Sequence, residues 1–231
     1  MSPSIDIVGL GVSTVDLVYL VDHFPVGDEI QRALDMTIQG GGPVATAVAA
    51  SARLGARTAM LDVVGDDWRG TFIRQEFEVA GVLTSRLRVA KDTTSAMATV
   101  LVRKNDGARA IVYTPGTTPK LSPADLDRSE IESAGFLHVN GRHWEACLQA
   151  CRWARQAGAR VSFDGGAHRY REEMRQLVPL SNVCIAARDF AERYTRETEI
   201  PLQAAQLLAE GPELVVITDG TRGSWIYPRE T

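Results

Sequence analysis

Two rhythms of apolar and polar positions alternate along the chain. Short runs rich in β-branched and other apolar residues, at 5–9, 58–64, 136–140, 161–164, 183–186 and 214–218, predict strands. Longer stretches with apolar positions three and four apart, at 44–54, 71–80, 144–157, 170–178 and 202–209, predict helices. Gly55, Gly81 and Gly158 follow three of these as helix stops. Strands separated by helices of this length cannot be hairpins. They imply right-handed crossovers and a parallel sheet with helices on its faces, so the expected fold class is α/β.

Two stretches break the rhythm. Residues 16–37 hold two short apolar pieces on either side of a turn at Phe24-Pro25-Val26-Gly27-Asp28. Residues 95–103 and 108–113 are β-rich and joined by Lys104-Asn105-Asp106-Gly107, whose Asn-Asp-Gly tolerates positive φ and signals a hairpin. Four β pieces without helices between them predict a small antiparallel sheet projecting from the parallel core. No repeat, low-complexity tract or linker divides the chain, so one domain over 1–231 is expected.

Composition narrows the function classes. Of 231 residues, 45% are hydrophobic and 23% charged, enough for a large core and too apolar for intrinsic disorder. The net charge of −4 removes the electrostatic footprint of a nucleic-acid binder. Three of the 25 basic residues are lysine; the arginine bias suits bidentate recognition of anions, and equally a codon habit. Cys147, Cys151 and Cys184 cannot form an even disulfide framework and read as small buried thiols, with zinc ligation as the alternative. A start without a basic leader or apolar signal stretch, and no long apolar run, predict a cytoplasmic protein without membrane contact.

Gly9 and Gly11 follow the first strand, but Thr14 stands where a dinucleotide fingerprint needs its third glycine, so a tight turn is the better reading. Gly40-Gly41-Gly42-Pro43 ahead of the 44–54 helix is more informative. Glycines let a ligand approach the backbone, proline suits the first helical turn, and free amides there favour anionic or hydroxyl-rich ligands. No Gly-Lys-Ser/Thr follows, so it is not a Walker A loop.

Gly41-Gly42-x-x-Ala45-Thr46, then Arg53-Leu54-Gly55-Ala56 and Val64-Gly65-Asp66-Asp67-x-x-Gly70, resembles the first signature of the ribokinase/PfkB carbohydrate kinases. The likeness extends over essentially the whole chain. It implies a ribokinase-like three-layer sandwich with a mostly parallel central sheet and a small β lid, the lid from about 12–38 and 92–114. It also implies an ATP-dependent kinase that transfers the γ-phosphoryl group to a sugar hydroxyl, with ATP and Mg2+ as cofactors. Asp16, Gly41, Gly42, Thr46, Tyr113 and Arg142 are the implied substrate contacts. Asp164, Arg188 and the Thr218, Gly220 and Gly223 loop are the implied nucleotide contacts.

Departures accompany the likeness. Thr46 stands where relatives often carry Asn, and Ala187-Arg188-Asp189-Phe190 replaces their Asn-x-x-Glu element. The Gly-Gly-Gly-Pro variant and Val139-Asn140-Gly141-Arg142-His143-Trp144 are most similar to the sulfofructose kinase branch, in which the position of Arg142 contacts an acidic sugar substituent. Tyr113 and Glu29 differ from that branch, which leaves the sugar open. His138 and His143 read as core or rim residues, and Asp66 and Asp67 as loop organisers. The family's catalytic aspartate and anion hole would fall beyond Thr231, so the chain alone is expected to be inactive. A nucleoside kinase and a non-catalytic sugar- or partner-binding module are the alternatives. A homodimer through the lid strands is a further expectation.

Overall fold

The structure is a computed structural model and describes residues 5–229. Among the described residues, twelve strands fall into two sheets. β1 (Ile7–Leu10), β4 (Thr58–Gly65), β5 (Leu87–Ala90), β8 (Phe136–Val139), β9 (Arg160–Gly165), β10 (Val183–Ala187), β11 (Leu214–Thr218) and β12 (Ser224–Pro228) form the larger one. Their order is β12-β11-β10-β9-β8-β1-β4-β5. Every neighbouring pair is parallel except β11 and β12, which are joined by a tight hairpin. The parallel core read from the spacing is therefore present.

Alternation along β1 and β4 explains how helices cover both faces. Val8, Leu10, Leu61 and Val63 join one core cluster, whereas Met60 and Val64 belong to the other. α1 (Pro43–Arg53) and α2 (Trp68–Ala80) close the second cluster through Val44, Val48, Ile73 and Phe77. α3 (Arg128–Ser133), α4 (Trp144–Ala157), α5 (Arg188–Thr195) and α6 (Ile200–Glu210) close the first. Gly9 and Gly11 have a packing role. A Cβ on Gly9 would meet Val48 Cγ1 at 2.5 Å, and one on Gly11 would meet Val44 at 2.6 Å, so both let α1 lie directly on the end of β1.

The two irregular stretches build the smaller sheet from β2 (Thr14–Val21), β3 (Asp35–Gly41), β6 (Ala96–Arg103) and β7 (Arg109–Thr114), in the order β3-β2-β6-β7. The antiparallel expectation holds for its two hairpins but fails at its centre, where β2 and β6 are parallel from Thr14↔Ala96 to Val21↔Arg103. β2 and β6 each follow a strand of the parallel core, β1 and β5, and leave the same edge in the same direction. Each then returns as a hairpin.

Residues 170–178 also differ from expectation. They form short 3-10 turns at Glu172–Gln176 and Val178–Leu180 rather than an α-helix. Met174, Leu177 and Val178 are nevertheless buried and reach the core from this irregular path. Three elements escaped the sequence reading, β5, α3 and α5, all of eight residues or fewer and too short to establish a period. Cys147, Cys151 and Cys184 are free and buried, as expected.

Candidate functional site

The carboxyl ends of a parallel sheet gather the loops that follow each strand, which makes that edge the default ligand site. Here the edge of β1, β8 and β9 faces the inner side of the small sheet across a cavity of about 600 Å³. Asp16, Ala98 and Tyr113 stand level with one another across β2, β6 and β7, and all three line it. Gly42 and Pro43 at the start of α1, and Asn140–Trp144 after β8, form the opposite wall.

The glycines explain how Asp16 is held. A Cβ on Gly41 would fall 2.2 Å from Asp16 Oδ2, so the carboxylate lies against the bare Cα of that residue. Thr14 Oγ1 donates to Asp16 Oδ1 at 2.7 Å, leaving Oδ2 for a ligand hydroxyl. Gly42 takes φ 98°, and a Cβ there would sit 2.2 Å from the Val12 carbonyl oxygen, so the turn into α1 requires glycine.

Beyond Asp16 the wall is cationic. Lys120, Arg142, Arg169 and Arg171 line the cavity, and Asp16 is the one carboxylate among its lining residues. Asn140 Oδ1 accepts from the Arg142 amide at 3.2 Å, and Arg171 Nη2 donates to the Gly141 carbonyl at 2.9 Å, which together shape the loop. Arg142 Nε is buried, and among the described residues no acceptor reaches it. A buried guanidinium N–H without an acceptor is costly, and an anionic or hydroxyl group of a ligand would satisfy it.

Thr46 is placed elsewhere. It is exposed and lines a separate cleft of about 340 Å³ between α1, α2 and β3, together with Gly41, Arg53 and Glu76. Thr46 lies at the fourth position of α1, and that position faces α2 rather than Asp16. Thr46 therefore shares a cleft with Gly41 and not with Asp16, Tyr113 and Arg142.

The predicted nucleotide residues occupy the ends of the next three strands. Thr218 ends β11, and Gly220 and Gly223 bracket a 3-10 turn with φ 53° and 89°; nothing lies within 4 Å of a Cβ built on either. The backbone of this loop is thus left open on the side of both glycines. Arg188 begins α5, but its guanidinium is taken: Nη1 binds Asp219 Oδ2 at 2.9 Å, and Arg222 Nη2 shares that oxygen at 2.8 Å. Arg188 thus braces the loop instead of standing free for a phosphate. Asp164 is largely buried near the end of β9. Burial pushes its carboxyl above the ordinary range, with the nearby Arg169 pulling the other way. It does not line the cavity that contains Asp16. No three His, Cys, Asp or Glu groups among the described residues converge on a metal-sized point, so they do not fit a protein-built Mg2+ cage.

Asp66 and Asp67 organise a loop, as expected. Asp67 Oδ1 accepts from the Gly70 amide at 3.0 Å, from the Ser95 amide at 3.2 Å and from Ser95 Oγ at 2.9 Å. Asp66 receives the Asp92 and Thr93 amides at 3.1 and 3.3 Å. Together they pin the segment that leads into β6. One element of the site had no signal in the sequence: His143 Nε2 meets Asp62 Oδ1 at 2.9 Å across 81 residues of chain.

The profile of the pfkB family carbohydrate kinases matches residues 4–231. The chain belongs to this family. An ATP-dependent ribose-1-phosphate kinase of Halopiger xanaduensis is 30% identical over 65% of the chain and 51% of its own length. A nucleoside kinase of Methanothermobacter thermautotrophicus is 24% identical over 98% of the chain and 74% of its own length. The solved Arabidopsis thaliana ribokinase complexed with ribose and ATP superposes with a TM-score of 0.80 at 21% identity, covering 100% of the chain and 77% of that structure. The pfkB chain described here therefore has the ribokinase fold, and it spans about half the length of the first of these relatives. None of its helices is long and apolar enough, among the described residues, to cross a membrane.

Proposed function

We propose that this pfkB protein transfers the γ-phosphoryl group of ATP to a hydroxyl of a sugar that carries an anionic substituent. The supporting observation is the cavity wall: four cationic side chains face a single carboxylate that is positioned to accept from hydroxyls. Asp16 would receive one or two sugar hydroxyls, and the turn at Gly41 and Gly42 gives the sugar access to backbone amides. Arg142, with Lys120 near it on the wall, would take the acidic group, and Tyr113 would close the sugar from the small sheet. Thr218, Gly220 and Gly223 would hold the nucleotide, with Asp164 and Arg188 supporting that edge from beneath. The Mg2+ of such a reaction would be carried largely by the phosphates of ATP.

Phosphoryl transfer depends on positioning and charge stabilisation more than on covalent chemistry by the protein. The small sheet acts as the lid in this reading, excluding water that would otherwise compete for the phosphoryl group. Its face away from Asp16 carries Met36, Ile38 and Val112, which are 48%, 42% and 74% exposed, and a second copy of the chain would cover them in a homodimer. Three unpaired buried thiols suit a reducing compartment such as the cytoplasm. The test is a radiolabelled transfer screen, run on the chain extended past Thr231 to carry the family's catalytic aspartate, over neutral sugars, sugar phosphates, sulfonated and carboxylated sugars, and nucleosides. Transfer to an acidic sugar in preference to its neutral counterpart is the expected result. Preference for a neutral sugar or a nucleoside would overturn the anionic assignment, and no transfer to any of them would overturn the kinase reading.

A further inference from the structure

Asp62 lies in the middle of β4 and His143 at the N-terminus of α4, and they are 1% and 3% exposed. The Leu121 amide donates to His143 Nδ1 at 3.0 Å, so that nitrogen keeps its lone pair and Nε2 carries the proton. Nε2–H then donates to Asp62 Oδ1 at 2.9 Å. Asp62 Oδ2 accepts from the Ser13 amide at 2.6 Å, and Oδ1 also accepts from the Val63 amide at 2.8 Å. The carboxylate is thus fully satisfied, by donors from three separate parts of the chain.

Two features argue against simple core filling. His143 holds φ 53°, a left-handed conformation that costs a residue with a Cβ roughly 1–2 kcal/mol. A buried carboxylate is also no more stabilising than a well-packed apolar pair of the same size. What an apolar pair cannot do is fix the backbone amides of Ser13 and Leu121. Those amides adjoin the cavity. Ser13 immediately precedes Thr14, the residue that fixes Asp16; Leu121 follows Lys120; His143 stands between Arg142 and Trp144.

We propose that Asp62 and His143 are positioning residues that lock three otherwise independent segments of the sugar-pocket wall into one geometry. The assignment of that wall to a sugar rests on the proposed function; the locking itself does not.

Three variants and two readouts test it. Asp62→Asn keeps the shape but must turn an NH2 group towards the Ser13 amide or towards Nε2–H. His143→Gln keeps a donor towards Asp62 and loses the acceptor for Leu121. Amide hydrogen exchange at Ser13 and Leu121 is expected to accelerate at least tenfold in Asp62→Asn, and at Leu121 and Arg142 in His143→Gln, while β10 and β11 exchange as in the parent protein. In the same variants the affinity for the acceptor sugar falls at least tenfold and that for ATP changes less than twofold. His143→Asn, which suits left-handed backbone and can still accept from Leu121, restores slow exchange at Leu121. Acceleration confined to the substituted residue, acceleration that extends through β10 and β11, or parallel losses of sugar and ATP affinity would each overturn the proposal. If the parent protein phosphorylates no sugar, the kinase reading fails while the exchange pattern still decides the locking.

Discussion

The Asp16 carboxylate occupies the space that a side chain at position 41 would fill, since a Cβ on Gly41 would lie 2.2 Å from Asp16 Oδ2. The placement of one side chain therefore depends on the absence of atoms at another residue, on the neighbouring strand. Gly41→Ala is expected to swing Asp16 off Thr14 and to weaken sugar binding tenfold or more, with ATP binding unchanged. Calorimetric titration of both ligands measures the split. Sugar affinity equal to that of the parent would show that Asp16 makes no contact with the sugar.

Removing cations from the cavity wall reports on the ligand's charge. A hydrogen bond between charged groups contributes about 1.5–3 kcal/mol, so Arg142→Met is expected to lower the affinity for an acidic sugar at least tenfold. The neutral counterpart of that sugar loses little, and the discrimination shrinks as salt is raised. Equal losses for both sugars would assign Arg142 to shaping the loop.

Asp67 caps α2 and clamps Ser95 with the same oxygen. Loss of a helix cap costs about 1 kcal/mol, and the Ser95 contacts add a comparable amount, so Asp67→Ala is expected to destabilise the protein by about 2 kcal/mol. In a chain of this size that lowers the melting temperature by roughly 6 °C, readable by calorimetry. Faster proteolysis at 91–95 should accompany it, because the segment leading into β6 loses its anchor.

His138 supplies a pH dependence. Burial holds its imidazole down at about 4, against an ordinary value near 6.5, and a hydrogen bond with the Ser162 backbone offsets this only in part. The folded state thus binds the proton more weakly than the unfolded chain. Stability is present in full above pH 6.5 and declines as the pH falls towards 4, by roughly 3 kcal/mol if the whole shift is expressed. Asp164 works in the opposite sense over its own range, because its folded carboxyl is raised and therefore favours the protonated, low-pH form. Denaturant midpoints from pH 7 to 4.5 should fall less steeply in His138→Gln than in the parent protein.

The parallel core was legible because Ile5–Gly9 and its successors are apolar runs, and Gly55, Gly81 and Gly158 close the helices between them. Asn105-Asp106-Gly107 likewise announced the β6–β7 hairpin, a local event with local chemistry. The parallel union of β2 with β6 was not legible, since it is decided by which edge each strand leaves and not by either strand's residues. Thr46 shows the same limit in the site: its motif gave its position in sequence, while the rotation of α1 decided which cleft it faces. Asp62 and His143 look like an ordinary strand aspartate and a rim histidine until the fold joins them.

The parallel register of β2 and β6 has a mechanical consequence. The small sheet is tied to the body at four places: ahead of β2, after β3, ahead of β6 and after β7, where the Thr94 and Thr117 pairing draws two of the ties together. Had its centre been a hairpin, either half could have peeled away on its own. Joined along eight residues from Thr14 to Val21, the halves are one plate on four legs, and a displacement of one half would have to carry the other with it.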